Sequence, residues 1–462
     1  MDDEIHIARR EDIGLTLRVI IVRHGQSTYN IKKIIQGRCD ESVLTEQGIS
    51  DAQKTGAMLS EIQFDAFYHS PLQRAAQTAE TINSSLKFPV TKQASPLLME
   101  VDLPLWEGLS KDEVEAKFPS DYRNWKQSPH EFFMEIVTEQ GTKKHFPVLA
   151  LYQQAQEFWQ EVISQHPQGT ILIVAHNGIN RCLISSAIGI PAAKYHAIQQ
   201  SNCGINVVNF TGGWGDPVQL ESLNQTAHLG IPLPSTRNPH HGPRFLLVRH
   251  GETEWNRTSR FQGQIDIPLN ENGKNQARKA AEFLKDVALD FAISSPLSRP
   301  KETAEIILEH HPEVFLELQN DLQEISHGLW EGKLESEIKA EYGDLLQQWK
   351  DAPETVQMPE GENLQQVWDR AVACWQDIVK VQSESSTPQT GVVVAHDAVN
   401  KALVCYLLGL KPDNFWNIKQ GNGAVTVIDY PQGSDGTAVL QAVNITSHFG
   451  KGILDRTAAG AL

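Results

Sequence analysis

The sequence is poor in cysteine, with five in 462 residues: Cys39, Cys182, Cys203, Cys374 and Cys405. They are odd in number, widely spaced and form no C-x-x-C, which argues against a disulfide framework or a thiolate zinc site and fits a reducing compartment. No apolar run approaches the roughly 18 residues that would mark a membrane span. The acidic start, with Asp2, Asp3, Glu4, Glu11 and Asp12, has neither the apolar stretch of a secretory signal nor the acid-poor character of a transit peptide, so a cytoplasmic location is expected. No G-x-x-x-x-G-K-[ST] loop occurs, and kinase activity has no support. A basic excess is lacking too. Lys and Arg number 40 against 57 Asp and Glu, a net of −17, and both halves are acidic: 20 against 26 in residues 1–240, 20 against 31 in residues 241–462. Neither nucleic acid nor an anionic membrane is an expected partner, and any anion must be met by a local basic pocket.

What the chain does have is globular composition, 40% hydrophobic and 21% charged, and a length suited to two or three domains. It also repeats itself. R-V-I-I-V-R-H-G-Q-S-T-Y-N from Arg18 returns as R-F-L-L-V-R-H-G-E-T-E-W-N from Arg244. S-P-L-Q-R from Ser70 returns as S-P-L-S-R from Ser295, L-W-E-G from Leu105 at Leu329, and I-V-A-H-N from Ile173 as V-V-A-H-D from Val393. The intervals between these motifs differ by one to four residues between copies, which is loop-sized. A period of about 220 residues is too long for a solenoid, so each copy is expected to be a complete domain. The expected division is residues 15–230, a Pro/Gly/His linker at 231–243, and residues 244–455.

The apolar runs Val19–Val22, Ile171–Val174, Phe245–Val248 and Val392–Val394 read as buried parallel strands, with helices expected over Thr45–Leu59, Asn270–Leu284 and Leu364–Val379. Alternating strands and helices predict an α/β fold with a largely parallel sheet in each copy. Ligands of such sheets sit off the carboxyl ends of strands, and both recurring histidines of each copy fall there. Six side chains recur: Arg23, His24, Asn30, Arg74, Glu100 and His176, then Arg249, His250, Asn256, Arg299, Glu324 and His396. Two guanidinium forks and two imidazoles suit a phosphate, a neutral imidazole is a competent nucleophile near pH 7, and a carboxyl beside phosphate suits a proton donor. One carboxylate among two arginines makes a poor metal set, so no metal and no cofactor are expected.

At these residues the chain resembles the histidine phosphatase superfamily, also called phosphoglycerate-mutase-like. The shared features are R-H-G-x-x-x-x-N, S-P-L-x-R, an L-x-E ahead of W-E-G, and the late A-H, in order and in both copies. The resemblance implies two tandem three-layer α/β/α domains acting on a small phosphorylated metabolite, and leaves a homo-oligomer open. It implies that His24 and His250 are nucleophiles that accept the phosphoryl group and that Glu100 and Glu324 are general acids. Arg23, Asn30, Arg74 and His176, with Arg249, Asn256, Arg299 and His396, would hold the phosphate, and Gln36 and Gln262 would add contacts.

Mutases of the family carry E-R-H-Y-G at the acid. Here Glu100 is followed by Val101 and Asp102, and Glu324 by Ile325 and Ser326, which favours hydrolysis over mutase activity. The tandem arrangement resembles a plant and cyanobacterial branch that dephosphorylates a sugar acid, 2-carboxy-D-arabinitol 1-phosphate, although the complete second copy departs from the plant pattern. The alternative is phosphoglycerate mutase activity, or hydrolysis of phosphoserine or another small metabolite. A further alternative makes one domain catalytic and the other a phosphate-binding or scaffold module. Between acid and late histidine the copies differ: Lys143, Lys144, His145 and Gln154 in the first, P-E-G-E-N from Pro359 and Arg370 in the second. This segment is expected either to select the leaving group or to be a solvated loop. Trp106 and Trp330 read as core or cleft wall. The pairs His240–His241 and His310–His311 do not read as metal ligands.

Overall fold

β-Branched runs flanked by polar residues build the central strands of each half, as the sequence pattern requires. The computed structural model describes residues 16–138, 141–236, 239–450 and 452–457, so the acidic start and residue 15, the expected first boundary, lie outside the described residues. The chain divides into two units between Pro232 and Leu233.

The first unit runs β1 (Leu17–Arg23), α1 (Thr28–Ile31), α2 (Glu46–Leu59), β2 (Ala66–His69), α3 (Gln73–Ser85), β3 (Lys92–Ala94), α4 (Lys111–Lys117) and α5 (Pro119–Gln127). It continues through β4 (Met134–Thr138), β5 (Gly141–His145), α6 (Pro147–Gln165), β6 (Gly169–Ala175), α7 (Asn177–Ile188), β7 (Ile205–Phe210) and β8 (Val218–Gln225). Its sheet has the order β8-β7-β1-β6-β2-β3, and β4 and β5 form a separate hairpin.

The second unit repeats the plan with β9 (Arg244–Arg249), α8 (Glu254–Arg257), α9 (Glu271–Leu284), β10 (Phe291–Ser294), α10 (Ser298–Leu308), β11 (Leu316–Leu318) and α11 (Glu335–Asp351). Then come α12 (Leu364–Ser383), β12 (Thr390–Ala395), α13 (Asp397–Leu408), β13 (Val425–Asp429) and β14 (Val439–Ile445), in sheet order β11-β10-β12-β9-β13-β14.

Four neighbouring strands of each sheet pair in parallel, as the alternation of strands and helices predicts. One strand of each sheet runs against the rest, β7 antiparallel to both β1 and β8, and β13 to both β9 and β14. The short loop between β7 and β8, residues 211–217, returns the chain directly, whereas a parallel neighbour would need a crossover of a dozen or more residues. Helices cover both faces. In the second unit Leu246, Val248, Val392 and Val394 pack with Ala280 and Leu284 of α9 and Ala304 and Ile307 of α10. The alternate residue Phe245 stacks on Trp375 of α12, 4.7 Å between ring centroids, from the other side. In the first unit Phe210 of β7 meets Trp159 of α6 at 5.0 Å. Burying such side chains contributes about 1.5–3 kcal/mol each. Trp106 and Trp330 are both buried.

Candidate active sites

Strand register brings the two histidines of each copy together. β1 pairs with β6 so that Arg23 lies beside Ala175 at the carboxyl ends, and the next residues are His24 and His176. The His24 N–H then donates to the Ala175 carbonyl (2.9 Å), and the two rings sit edge to face with centroids 5.1 Å apart. β9 and β12 repeat this with Arg249 beside Ala395, and His250 and His396 stand 5.2 Å apart. The glycine of R-H-G has a steric cause. A Cβ on Gly25 would meet the Gly48 carbonyl oxygen at 2.5 Å, and one on Gly48 would meet the Gln26 carbonyl, so the loop and the start of α2 approach only as a glycine pair.

A carbonyl cannot donate, so the 2.7 Å contact of His24 Nδ1 with the Gly25 carbonyl places the proton on Nδ1 and the lone pair on Nε2. His250 Nδ1 makes the same bond to Gly251 at 2.6 Å, and its Nε2 accepts from Arg299 Nε at 3.2 Å. Burial, reinforced by Arg23 and Arg74, holds the His24 imidazole well below its ordinary pKa; burial with Arg299 and Arg249 does the same for His250. His176 and His396 are held down likewise, by burial first and then by Arg74 and Arg299 respectively. Each nucleophile candidate is therefore a neutral imidazole at pH 7.

The arginines are anchored by backbone carbonyls. Arg74, in the first turn of α3, donates from Nη1 to Cys39 and from Nη2 to Gly37, at 3.0 and 2.9 Å. Arg299 does the same to Ile265 and Gly263, at 3.1 and 2.7 Å. Arg23 donates to the Gln200 carbonyl and Arg249 to that of Gln420. Burial lowers Arg23 and Arg299 to about 10, which leaves both cationic at pH 7. In the first unit the buried atoms Arg23 Nε, Arg74 Nε and His176 Nδ1 have no hydrogen-bond partner. The two guanidinium N–H groups are donors that an oxyanion would satisfy.

The acid candidates sit on helix N-termini. Glu100 accepts from the N–H groups of Val101 (2.8 Å), Gly178 (3.0 Å) and Ile179 (3.1 Å), the last two being orphan donors of α7. Glu324 accepts from Ile325 (3.0 Å) and from Ala398 at the start of α13 (3.2 Å). A Cβ at Gly178 would stand 2.4 Å from the Glu100 carboxylate, and Ala398 carries that Cβ in the second unit, where the carboxylate has fewer helix donors. Burial and then Asp397 push the Glu324 carboxyl above the usual range.

The remaining expected contacts are less direct. Asn30 Oδ1 accepts from the N–H and hydroxyl of Ser27 and from Asn202, which leaves its NH₂ as the end able to meet an anion. Asn256 does the same with Thr253 and Asn422. Gln36 accepts from the Ser27 hydroxyl, whereas the buried Gln262 Oε1 has no partner. Lys143 and Lys144 lie exposed on β5, not in a loop; Lys144 covers the Phe133 ring, and His145 is 3.1 Å from the Asp102 carbonyl.

Sequence reasoning missed several recurring residues. Ser70 and Ser295 bond His176 and His396 at 2.7 and 2.8 Å, and Thr78 and Thr303 accept from Gly25 and Gly251. Asn202 and Asn422 donate to the backbone carbonyls of His24 and His250. All six recur in both copies, which was the available signal.

An exchange was also missed. Arg38 donates to the Glu100 carbonyl and to Gln154, and Gln154 donates to the carbonyls of Leu97 and Met99. In the second unit the types are swapped. Gln264 donates to the Glu324 carbonyl, and Arg370 donates to those of Asp321, Gln323 and Glu324. An arginine and a glutamine thus cradle the acid's backbone in both units from exchanged positions.

Among the described residues no group of three or more His, Cys, Asp or Glu side chains converges as a metal ion would need, and no helix is long and apolar enough to cross a membrane. The family described as "Histidine phosphatase superfamily (branch 1)" matches residues 19–224 and again 245–446. The 2-carboxy-D-arabinitol-1-phosphatase of Triticum aestivum is 29% identical, over 94% of this chain and 87% of its own. Phosphoserine phosphatase 1 of Hydrogenobacter thermophilus is 35% identical, over 45% of this chain and 95% of its own. A solved structure, Bacillus stearothermophilus YhfR, is 30% identical, covering 45% of this chain and 100% of its own with a TM-score of 0.42. The chain belongs to the histidine phosphatase superfamily (branch 1), twice over, and is an enzyme of the phosphatase class.

Proposed function

We propose that each unit hydrolyses a phosphomonoester without a metal ion, through a phosphohistidine on His24 or His250. One observation carries the reading: His24 Nε2 is a lone pair on a neutral ring, in a site with the unpartnered donors Arg23 Nε and Arg74 Nε and the unpartnered ring atom His176 Nδ1. Nε2 attacks phosphorus as the P–O(ester) bond breaks, and Glu100 passes its proton to the departing alkoxide. Water then attacks the phosphohistidine with the Glu100 carboxylate taking its proton, which returns the free imidazole and releases inorganic phosphate. The arginines and the second histidine neutralise the equatorial oxygens, the main requirement of phosphoryl transfer. His250, Arg249, Arg299, His396 and Glu324 take these roles in the second unit.

The substrate we favour is a small phosphorylated sugar acid of the 2-carboxy-D-arabinitol 1-phosphate kind, on the strength of the wheat relative's match along most of both chains. Phosphate release in the presence of EDTA should be measured for that ester, 3-phosphoglycerate and phosphoserine. Release from the sugar-acid phosphate at the highest kcat/KM is expected. Preference for phosphoserine would replace the substrate, and strict dependence on added metal would overturn the mechanism.

The raised Glu324 sets a pH dependence. In the His24→Ala chain only the second site works, and it needs Glu324 protonated. Because burial and Asp397 raise this carboxyl, the protonated acid persists above the ordinary value of about 4.3, and kcat falls as pH rises through the raised value. Asp397→Asn removes the second cause and should move that limb of the kcat profile to lower pH. A limb that stays or moves upward contradicts the assignment of Glu324 as the acid.

A further inference from the structure

The two sites match in cations and differ in carboxylates. In the second, Asp397 lies 3.1 Å from Arg249 and 2.7 Å from Lys401, all three buried. The equivalent residue after the first unit's late histidine is Asn177, and the residue equivalent to Lys401 is Arg181. Arg181 is buried, its Nε has no partner, its Nη1 meets His196, and its guanidinium faces the Tyr195 ring at 5.3 Å. Arg23 and Arg74 bond only to backbone carbonyls. None of these three arginines is in an ion pair among the described residues.

Each site carries three buried cations and one acid candidate: Arg23, Arg74 and Arg181 with Glu100, and Arg249, Arg299 and Lys401 with Glu324. Only the second adds Asp397 as a further carboxylate among its cations. When a phosphate dianion enters, the first site therefore keeps one more unit of positive charge than the second. A buried charge without a counter-ion is costly, so the surplus favours a ligand with a further negative charge. The outer cations follow the same division. Arg370 is paired with Glu362 at 2.8 Å, whereas Arg38 bonds to a carbonyl and to Gln154.

We infer that the first site takes a phosphate ester whose leaving group carries a carboxylate and the second takes one whose leaving group does not, with Asn177 against Asp397 setting the difference. This rests on the phosphohydrolase reading above. It extends that reading from one substrate to two classes divided between the units of one chain.

Two probes isolate the carboxylate, because 3-phosphoglycerate and glycerol 3-phosphate share their phosphate end and differ only in COO⁻ against CH₂OH. Their kcat/KM ratio should be measured in the His250→Ala chain, where the first site works alone, and in the His24→Ala chain, where the second does. The ratio is expected to favour 3-phosphoglycerate at least about tenfold more in the first site than in the second, since misplacing like charge disfavours the wrong ligand strongly. Asn177→Asp should lower the first site's ratio and Asp397→Asn should raise the second's. Reading a ratio separates this from a general loss of phosphate binding, which would lower both esters alike. Equal ratios at the two sites, or ratios unmoved by both exchanges, would overturn the inference while leaving the phosphatase reading intact. Release from neither ester, with the parent still releasing phosphate from the sugar-acid phosphate, would overturn the inference alone; release from none of these esters would overturn both.

Discussion

A chain carrying both His24→Ala and His250→Ala is expected to release phosphate at least about ten-thousand-fold more slowly than the parent, because removing the nucleophile abolishes the covalent route and leaves only binding and charge stabilisation. Each single variant should keep the rate of the untouched unit, since each unit carries its own histidine pair, arginine clamp and acid. The two residual rates should therefore sum to that of the parent. Phosphate release under saturating substrate checks this, with circular dichroism to show that the fold persists. A single variant that already abolishes release from both 3-phosphoglycerate and glycerol 3-phosphate would mean that one unit alone is catalytic. The other would then be a binding or scaffold module.

The second large effect is expected from Arg74→Lys and Arg299→Lys, each costing its own site about a hundredfold to a thousandfold in kcat, the scale of losing a transition-state donor. The charge is kept, so the loss is one of geometry. Arg74 reaches the carbonyls of Gly37 and Cys39 with its two Nη groups and still has Nε for the phosphoryl oxygens. An ammonium on a flexible stem cannot span two fixed carbonyls and present a third donor in one plane. In the second unit Arg299 Nε also donates to His250 Nε2, so Arg299→Lys removes a bond that orients the nucleophile. Kinetics in the single-site chains reads the effect directly. A loss of less than about threefold would show that charge alone suffices at this position.

The chemistry of the site was more legible than its support. Arg23, His24, Arg74, Glu100 and His176 stand out because each recurs inside a motif, and β1 and β6 pair in the register that places both histidines off the carboxyl ends of neighbouring central strands. Ser70 lies inside a quoted motif, yet its bond to His176 joins residues 106 apart, and no local pattern signals such a contact. The exchange of Arg38 and Gln154 for Gln264 and Arg370 is invisible to position-by-position comparison, where it reads as two unrelated differences. It becomes a single cradle only when the carbonyls of the acid's segment are in view. Lys143 and Lys144 look like a loop because charged residues hide a strand. Their pairing with Ile136 and Glu135 depends on a partner strand that supplies the apolar face. The apolar β7 reads like a parallel strand although it pairs antiparallel with both neighbours, and its direction is set by the chain's connections and not by composition.

The central claim is that phosphate passes through covalent attachment to His24 and His250. The most direct test is to mix the protein with a ³²P-labelled ester, quench in alkali within milliseconds, where phosphohistidine survives, and locate the label by peptide mass spectrometry. Label on His24 and His250 in the parent is predicted, on the one remaining histidine in each single alanine variant, and on neither in the double variant. Turnover without label on either histidine, or label on another residue, would contradict the account.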